Sequence, residues 1–360
     1  IDFGRDLVAA GLTHARGLAD WTGVAGGLDR AARELRLACA GPLRDVKGIL
    51  KLRWDERAGT DDFLRALTDL VIAADAARDA ALSVEAAAPD FTRLVERGRR
   101  LAQLAHAFEA PTATDRVRWI DLGPRDARLI ESPLHIRDLF TEQRALAPRA
   151  WVFTSATLGS DDDLSWFTES AALEDARKLR VGSPFDYATN ARTWVPPRFP
   201  KPNEAGHPAA VGALAARLAG RLGGRTFVLT TTLRVLPVIA EALTEAAAAA
   251  GTPLVVLVQG THPKRSLLQR FLDTPHSVLV GSASFWEGID VPGAALQCVV
   301  IDKLPFPPPH DPLVQARSKE LESRGRDPFN DYYLSEAAIA LKQGAGRLIR
   351  SETDLGLLVI

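Results

Sequence analysis

From about residue 161 onward the chain alternates short apolar runs with segments of helical spacing, and this restricts the fold more than any other feature. The runs lie at 226–229, 254–258, 278–280, 298–301 and 357–360. Helical patterns occupy about 209–220, 232–249, 264–272, 312–323 and 331–350. Runs without polar alternation suit strands covered on both faces, and parallel strands need crossover connections of about a dozen residues, usually helices. The pattern predicts an α/β fold with a doubly wound parallel sheet.

The first 115 residues differ. They are rich in Ala, Arg and Leu at helical spacing, clearest over 28–39 and 61–74, with breaks at Pro42 and Pro89. No strand-like alternation interrupts them, so a helical domain is expected. The basic block at 93–100 includes Glu96 and reads as a solvated helix face. From Arg116 the segments VRWIDL, ARLIESPL and WVFTSATL read as strands, with Gly123 and Pro124 in a turn. A chain of 360 residues exceeds the roughly 250–300 at which single cores stop growing, so several domains are expected. The predicted divisions are 1–115, 116–160 and 161–360.

Composition excludes several functions. A net charge of -1 argues against a broadly basic surface that coats nucleic acid, leaving only a local groove. Cys39 and Cys298, the only cysteines, are too few for a disulfide framework or a four-cysteine metal site. No uncharged apolar run of about 18 residues is present, so no membrane span is expected. His310, alone in the stiff PFPPPHDP stretch at 305–312, makes no metal site.

Residues 343–350 read QGAGRLIR. On one helix, Gln343, Arg347 and Arg350 share a face, while Leu334, Ala338, Leu341, Ala345 and Leu348 form the opposite, core-facing stripe. Gly344 and Gly346 each cost about 1 kcal/mol relative to alanine in a helix, a cost explained by close approach of a ligand. Two planar arginine forks on such a surface suit phosphate. The competing reading pairs Arg347 and Arg350 with Glu352 and Asp354 at the surface. Spacing alone favours these ion pairs; the glycines and the loop GSASFWEGIDVPG at 281–293 reverse that preference toward phosphate.

In that loop, Ser282 and Ser284 are small donors. Glu287 and Asp290 flank Gly288 and supply too few ligands for a metal, so orienting the arginines and the nucleotide edge is their better role. Phe285 suits core packing, and Trp286 suits stacking on a base. Thr230, Thr231 and Thr232 follow one apolar run and open the next helical pattern, as capping residues or as DNA phosphate contacts. Lys264 and Arg265 sit at a predicted helix start, an unfavourable place for cations unless an anion joins them.

The two motifs, together with TSAT at 154–157, GSPFDY at 182–187 and LPF at 304–306, stand in the order found in superfamily 2 helicases. The wording resembles the DinG/YoaA branch, related to XPD, over roughly the second half of the chain. The resemblance implies a RecA-like second motor domain at 161–360, the last strands of a first motor domain at 116–160, and an arch-like helical domain before them. It casts Arg350 and Arg347, with Gln343, as catalytic groups on ATP. Glu287, Gly288, Asp290, Gly344 and Gly346 then border the nucleotide. Thr231, Thr232, Lys264, Arg265, Ser282, Ser284 and Trp286 face DNA, and Ser155 and Thr157 couple nucleotide state to DNA rather than merely satisfying their own loop.

Such helicases hold ATP and Mg²⁺ mainly through a phosphate loop and an acidic box in the first motor domain. Neither a GxxxxGK[ST] loop nor a DEAH-type box occurs here, and the chain contains no methionine, so it reads as an excerpt, inactive alone. Relatives often carry an iron–sulfur cluster in the first motor domain; none is expected in this chain. The implied partners are single-stranded DNA, travelled 5′ to 3′, and replication or repair proteins in the bacterial cytosol, in association with the nucleoid. Two rivals stand beside this reading: a non-catalytic DNA- or protein-binding RecA-like module, and a translocase acting on RNA.

Overall fold

The chain separates into two units, residues 1–136 with 308–323, and residues 137–307 with 324–360. The structure, a computed structural model, describes residues 2–43, 45–46, 48–159, 161–282, 285, 291, 293–346 and 348–360.

The first unit is mainly helical, as its composition predicts. Its helices are α1 (Asp2–His14), α2 (Trp21–Ala40), α3 (Asp61–Leu82) and α4 (Pro89–Glu109). Asp20 caps α2 by accepting the Gly23 amide at 2.9 Å, and Pro89 opens α4, where its missing N–H costs nothing. Phe3, Leu7, Trp21, Phe91 and Leu94 form one buried cluster between these helices.

One strand there was not anticipated. β1 (Leu50–Arg53) pairs antiparallel with β2 (Arg116–Leu122), which pairs antiparallel with β3 (Ala127–Pro133). The segments at 116–133 thus form a hairpin on the helical unit and not part of a parallel motor sheet. Alternation explains it: Ile120 and Leu122 point inward with Leu52 and meet Leu35, Cys39, Phe63 and Leu67. Arg118 fixes the hairpin to α4. It is buried, bonds Glu131 at 2.6 Å, and donates to the carbonyls of Ala107 and Ala110 at 2.8 and 2.6 Å, satisfying the open end of that helix. The helix at 312–323, expected in the last domain, also belongs to this unit. This helix, α11 in chain order (Pro312–Ser323), joins it through Arg317 to the Leu134 carbonyl, His135 to Glu320, and Lys51 to Asp311.

The second unit begins with α5 (Arg137–Ala145), α6 (Ser165–Ser170) and α7 (Tyr187–Asn190). The strand expected at 151–153 does not form. Trp151 and Phe153 instead gather with Phe140 and Phe167, while Val152 stays 83% exposed. A strand needs a neighbour for its backbone, and no described segment pairs there.

The rest of this unit is the predicted sheet: β4 (Ala191–Trp194), α8 (His207–Leu222), β5 (Thr226–Leu229), α9 (Leu236–Ala249), β6 (Val255–Val258), α10 (Lys264–Asp273), β7 (Ser277–Gly281), β8 (Cys298–Ile301), α12 (Leu334–Ala345) and β9 (Gly356–Val359). All its strands are parallel, in the order β4-β9-β8-β5-β7-β6. Five strands fall within one residue of the apolar runs. β4 was missed because an edge strand need not be apolar, and its ARTW side chains are largely exposed.

Successive side chains serve opposite faces. Val228, Val278, Val280 and Val300 meet α8 and α9 through Leu214, Ile239 and Leu243. Phe227, Leu229, Leu279 and Val299 meet α10 through Leu267 and Phe271, together with Leu348 and Ile349. Gly212 lets α8 and α9 approach, since a Cβ there would lie 2.5 Å from the Ile239 carbonyl oxygen.

Candidate functional site

Three neighbouring strands bring the candidate DNA residues to one end of the sheet. β7 lies between β5 and β6, so Thr231, Ser282 and the Gln259–Arg265 segment all leave from adjacent carboxyl ends.

After β5, buried Thr230 donates its amide to the Gly281 carbonyl at 2.7 Å and its hydroxyl to the Thr232 carbonyl at 2.9 Å. The Thr231 amide donates to Asp302 at 3.0 Å. This turn delays α9 to Leu236, where Pro237 occupies the first helical turn, so the expected start at 232 is corrected and the threonines do not cap that helix. Thr232 is exposed.

Beyond β6, α10 starts at Lys264 with no side-chain cap, and Lys264 and Arg265 stand exposed in its first turn. Lys264 Nζ lies 5.4 Å from the centroid of buried Phe285, a cation–π contact. That ring accounts for part of the unfavourable placement of Lys264 that otherwise suggested an anion. Phe285 packs in the core as expected, 1% exposed.

Ser282 departs from its expected role. It is buried, and its amide and hydroxyl both donate to Gln259 Oε1, at 2.6 and 3.0 Å. A hydroxyl spent on tying two loops together is not presented to DNA. Ser284, Trp286, Glu287, Gly288, Asp290 and Arg347 lie outside the described residues. At the other sequence-predicted pair, the Thr157 amide and hydroxyl each sit 3.1 Å from Ser155 Oγ, a local turn on an exposed segment.

The arginine motif does not form one continuous helix. α12 stops at Ala345, Gly346 takes the cap position, and Arg350 follows in a bend. Leu348 and Ile349, beyond the end of the helix, are both buried in the core. Asp354 then accepts the amides of Arg350 and Ser351 at 2.7 and 2.8 Å and the Ser351 hydroxyl at 2.6 Å, forming a turn incompatible with helix. The expected apolar stripe also shifts: Leu334 and Ala338 are exposed, whereas Ala337 and Gly344 are buried.

Arg350 therefore owes its place to Asp354. Burial works against the Asp354 carboxylate, but the Ser351 hydroxyl and the two amides hold it below the usual carboxylate range. Asp354 lies just before β9, and Gly293 just before β8, at the amino-terminal end of the sheet. The candidate phosphate and DNA residues thus stand at opposite ends of parallel strands. The loop at 281–293 starts at one end and finishes at the other.

Sequence reading missed the roles of Gln259, His207 and Asp302, and named Asp354 only as a surface ion-pair partner, whereas it accepts the Arg350 amide. The signal for Asp302 was present, an acid directly after the buried run CVVI. An arginine and an amide, Arg350 and Gln343, are donors suited to phosphate oxygens. Among the described residues no group of three or more His, Cys, Asp or Glu is placed to hold a metal ion. Burial pushes the thiols of Cys39 and Cys298 up to about 12, which disfavours the thiolate form. No helix among the described residues is long and apolar enough to cross a membrane.

Residues 216–360 match the helicase C-terminal domain family. Over 242 residues the chain is 41% identical to the ATP-dependent DNA helicase YoaA of Escherichia coli (strain K12), covering 67% of this chain and 37% of that protein. It is 35% identical over 261 residues to the ATP-dependent helicase DinG of Mycobacterium tuberculosis (strain ATCC 25618 / H37Rv), covering 70% of this chain and 38% of that one. The solved structure of S. tokodaii Xpd4 matches with a TM-score of 0.57 at 12% identity, over 100% of this chain and 66% of that one, a likeness of fold. The chain spans little more than a third of the length of these two curated relatives.

Proposed function

Because the chain carries the C-terminal helicase portion of a DinG- and YoaA-like protein, we propose that it is the second motor of an ATP-driven DNA helicase that moves 5′ to 3′ on single strands in repair or replication. The observation that carries this reading is the helicase C-terminal match over 216–360, which contains both the strand-end loops and the arginine motif. The unit at 1–136 is the arch-like domain in this reading. The relatives' names, both ATP-dependent helicases, do not favour a non-catalytic binding module.

Bound ATP supplies the phosphoryl group whose transfer drives movement. Arg350 presents a fixed charge to its phosphates, with Gln343 beside them, and Asp354 holds the Arg350 backbone in position. The exposed amides and cations at the start of α10, with Thr231 and Thr232, take phosphates of the DNA strand. Mg²⁺ belongs to ligands outside this chain. Ser155 and Thr157 carry nucleotide state toward the DNA.

The test is DNA-stimulated ATP hydrolysis and strand separation by the full-length protein containing this chain. Hydrolysis that single-stranded DNA does not stimulate would overturn the reading. The 360-residue chain alone is expected to bind single-stranded DNA weakly and to release no phosphate from ATP.

A further inference from the structure

His207, the first residue of α8, is 5% exposed and holds both ring nitrogens against main-chain carbonyl oxygens. Nδ1 is 2.8 Å from the Pro200 oxygen and Nε2 is 2.7 Å from the Asp302 oxygen. A carbonyl only accepts, and a neutral imidazole has one N–H. Both bonds therefore form together only when both nitrogens carry protons.

Asp302 continues the connection. It stands directly after β8, 6% exposed; its amide donates to the Leu229 carbonyl at 3.1 Å, and its carboxylate accepts the Thr231 amide at 3.0 Å. A burial so complete needs compensation. Burial pushes the Asp302 carboxyl up, opposed by the Thr231 amide, by Lys303 and by His207. The ring, the Asp302 backbone, the Asp302 carboxylate and the Thr231 turn thus form one chain of contacts across α8, β8 and β5.

We propose that His207 and Asp302 are positioning residues that set the Thr231–Thr232 turn for the DNA strand, and that the proton on His207 controls this setting. The proposal rests on the reading of Thr231 as a DNA contact. When His207 gives a proton to solvent, one nitrogen turns a lone pair toward a carbonyl oxygen less than 3 Å away. The backbone at Pro200 or Asp302 must then retreat. Displacement of Asp302 lengthens its bond to the Thr231 amide and frees the turn. Histidine is the side chain whose ordinary charge change falls between about pH 5 and 8.

The groups facing the pair are the Asp302 carboxylate and Lys303 at the end of β8, the Thr231 amide at the end of β5, and the Phe199 ring, edge-on at 5.6 Å. His262, just before α10, is a second imidazole near the candidate DNA residues, so a pH effect on DNA affinity alone would not identify His207.

The experiment measures hydrogen-exchange protection of the Thr231 amide in the 360-residue chain at about pH 6 and about pH 8, with the ¹⁵N shifts of the His207 ring recorded alongside. Protection should be about three- to tenfold higher at the lower pH, the worth of one hydrogen bond, while both ring nitrogens carry protons. His207→Phe, which retains a ring against Phe199, should abolish the pH dependence. Asp302→Ala should lower protection at both pH values and Asp302→Asn, which keeps the accepting oxygen, should restore it. Equal protection at both pH values in the parent chain, a ring nitrogen unprotonated at the lower one, or a pH profile that survives His207→Phe overturns the proposal; the first two need no variant to fold. If protection follows the expected pattern but Thr231→Ala binds a thymidine oligonucleotide as tightly as the parent, the positioning pair stands and the DNA assignment of Thr231 fails.

Discussion

Asp354 occupies the space that any side chain on Gly293 would need: a Cβ at Gly293 would lie 1.8 Å from Asp354 Oδ1 and 1.9 Å from its Cγ. The last glycine of one motif and the acid four residues beyond the other are therefore one packing unit. The same carboxylate receives the amide of Arg350, so Gly293 limits where Arg350 can stand. Gly293→Ala should destabilise the second unit by about 1–3 kcal/mol, the usual cost of overpacking, read from chemical denaturation. Asp354→Ala leaves room but strands the amides of Arg350 and Ser351, at about 1 kcal/mol. A Gly293→Ala chain as stable as the parent would break the link between the motifs.

Asp354 and Asp302 should give opposite pH signatures. The folded carboxyl of Asp354 is held low, so the stability it contributes is present above the ordinary carboxylate value of about 3.9 and disappears as pH falls through its folded value. The carboxyl of Asp302 is pushed up by burial, so any stability from its protonated form is present below about 3.9 and lost as pH rises through its folded value. Near neutral pH, Asp302→Asn should raise the denaturation midpoint and Asp354→Asn should lower it. Thermal melts of both variants at pH values spanning the acid range check the two signs.

The sheet was legible because burial on both faces leaves a simple mark. β5, β7 and β8 are wholly buried and read as unbroken apolar runs, whereas the edge strand β4 is mostly exposed and leaves none. The hairpin at 116–133 was legible as strands, but its partner was not: β1 is four residues long and lies between helical stretches. For the site, residue types were readable and posture was not. Helical spacing put Arg350 on the face of Gln343, yet α12 stops at Ala345 and Asp354 draws the amides of Arg350 and Ser351 into a turn. Ser282 fails in the same way, since its use depends on Gln259, brought alongside only by strand pairing. Tertiary contacts decide such cases, and periodicity does not contain them.

The cations at the start of α10 predict a specific salt dependence. If Lys264 and Arg265 each neutralise one DNA phosphate, the double variant Lys264→Ala, Arg265→Ala should reduce the slope of log affinity against log salt by about 1.4, at about 0.7 per contact for single strands. Fluorescence anisotropy with a labelled oligonucleotide over a salt series gives the slope. Lys264→Ala should lose somewhat less in affinity than Arg265→Ala, because in the parent part of the Lys264 charge already rests on Phe285. An unchanged slope would remove α10 from the DNA groove.

Arg350 separates a motor from a folded domain that merely resembles one. In the full-length protein, an arginine meeting the phosphoryl group mainly in the transition state should, when replaced by alanine, spare ATP binding and lower DNA-stimulated turnover by about 10³- to 10⁵-fold. A surface ion pair is worth about 0–1 kcal/mol, less than a tenfold change, so the two readings lie decades apart. Arg350→Lys should be nearly as damaging, because a point charge does not reproduce the planar fork. Asp354→Asn sharpens the test: its amide oxygen still accepts from the backbone of Arg350, so turnover should fall far less than in Arg350→Ala. The measurements are steady-state ATPase rate and nucleotide affinity for these three variants. A rate within tenfold of the parent for a folded Arg350→Ala protein would place Arg350 away from the phosphates.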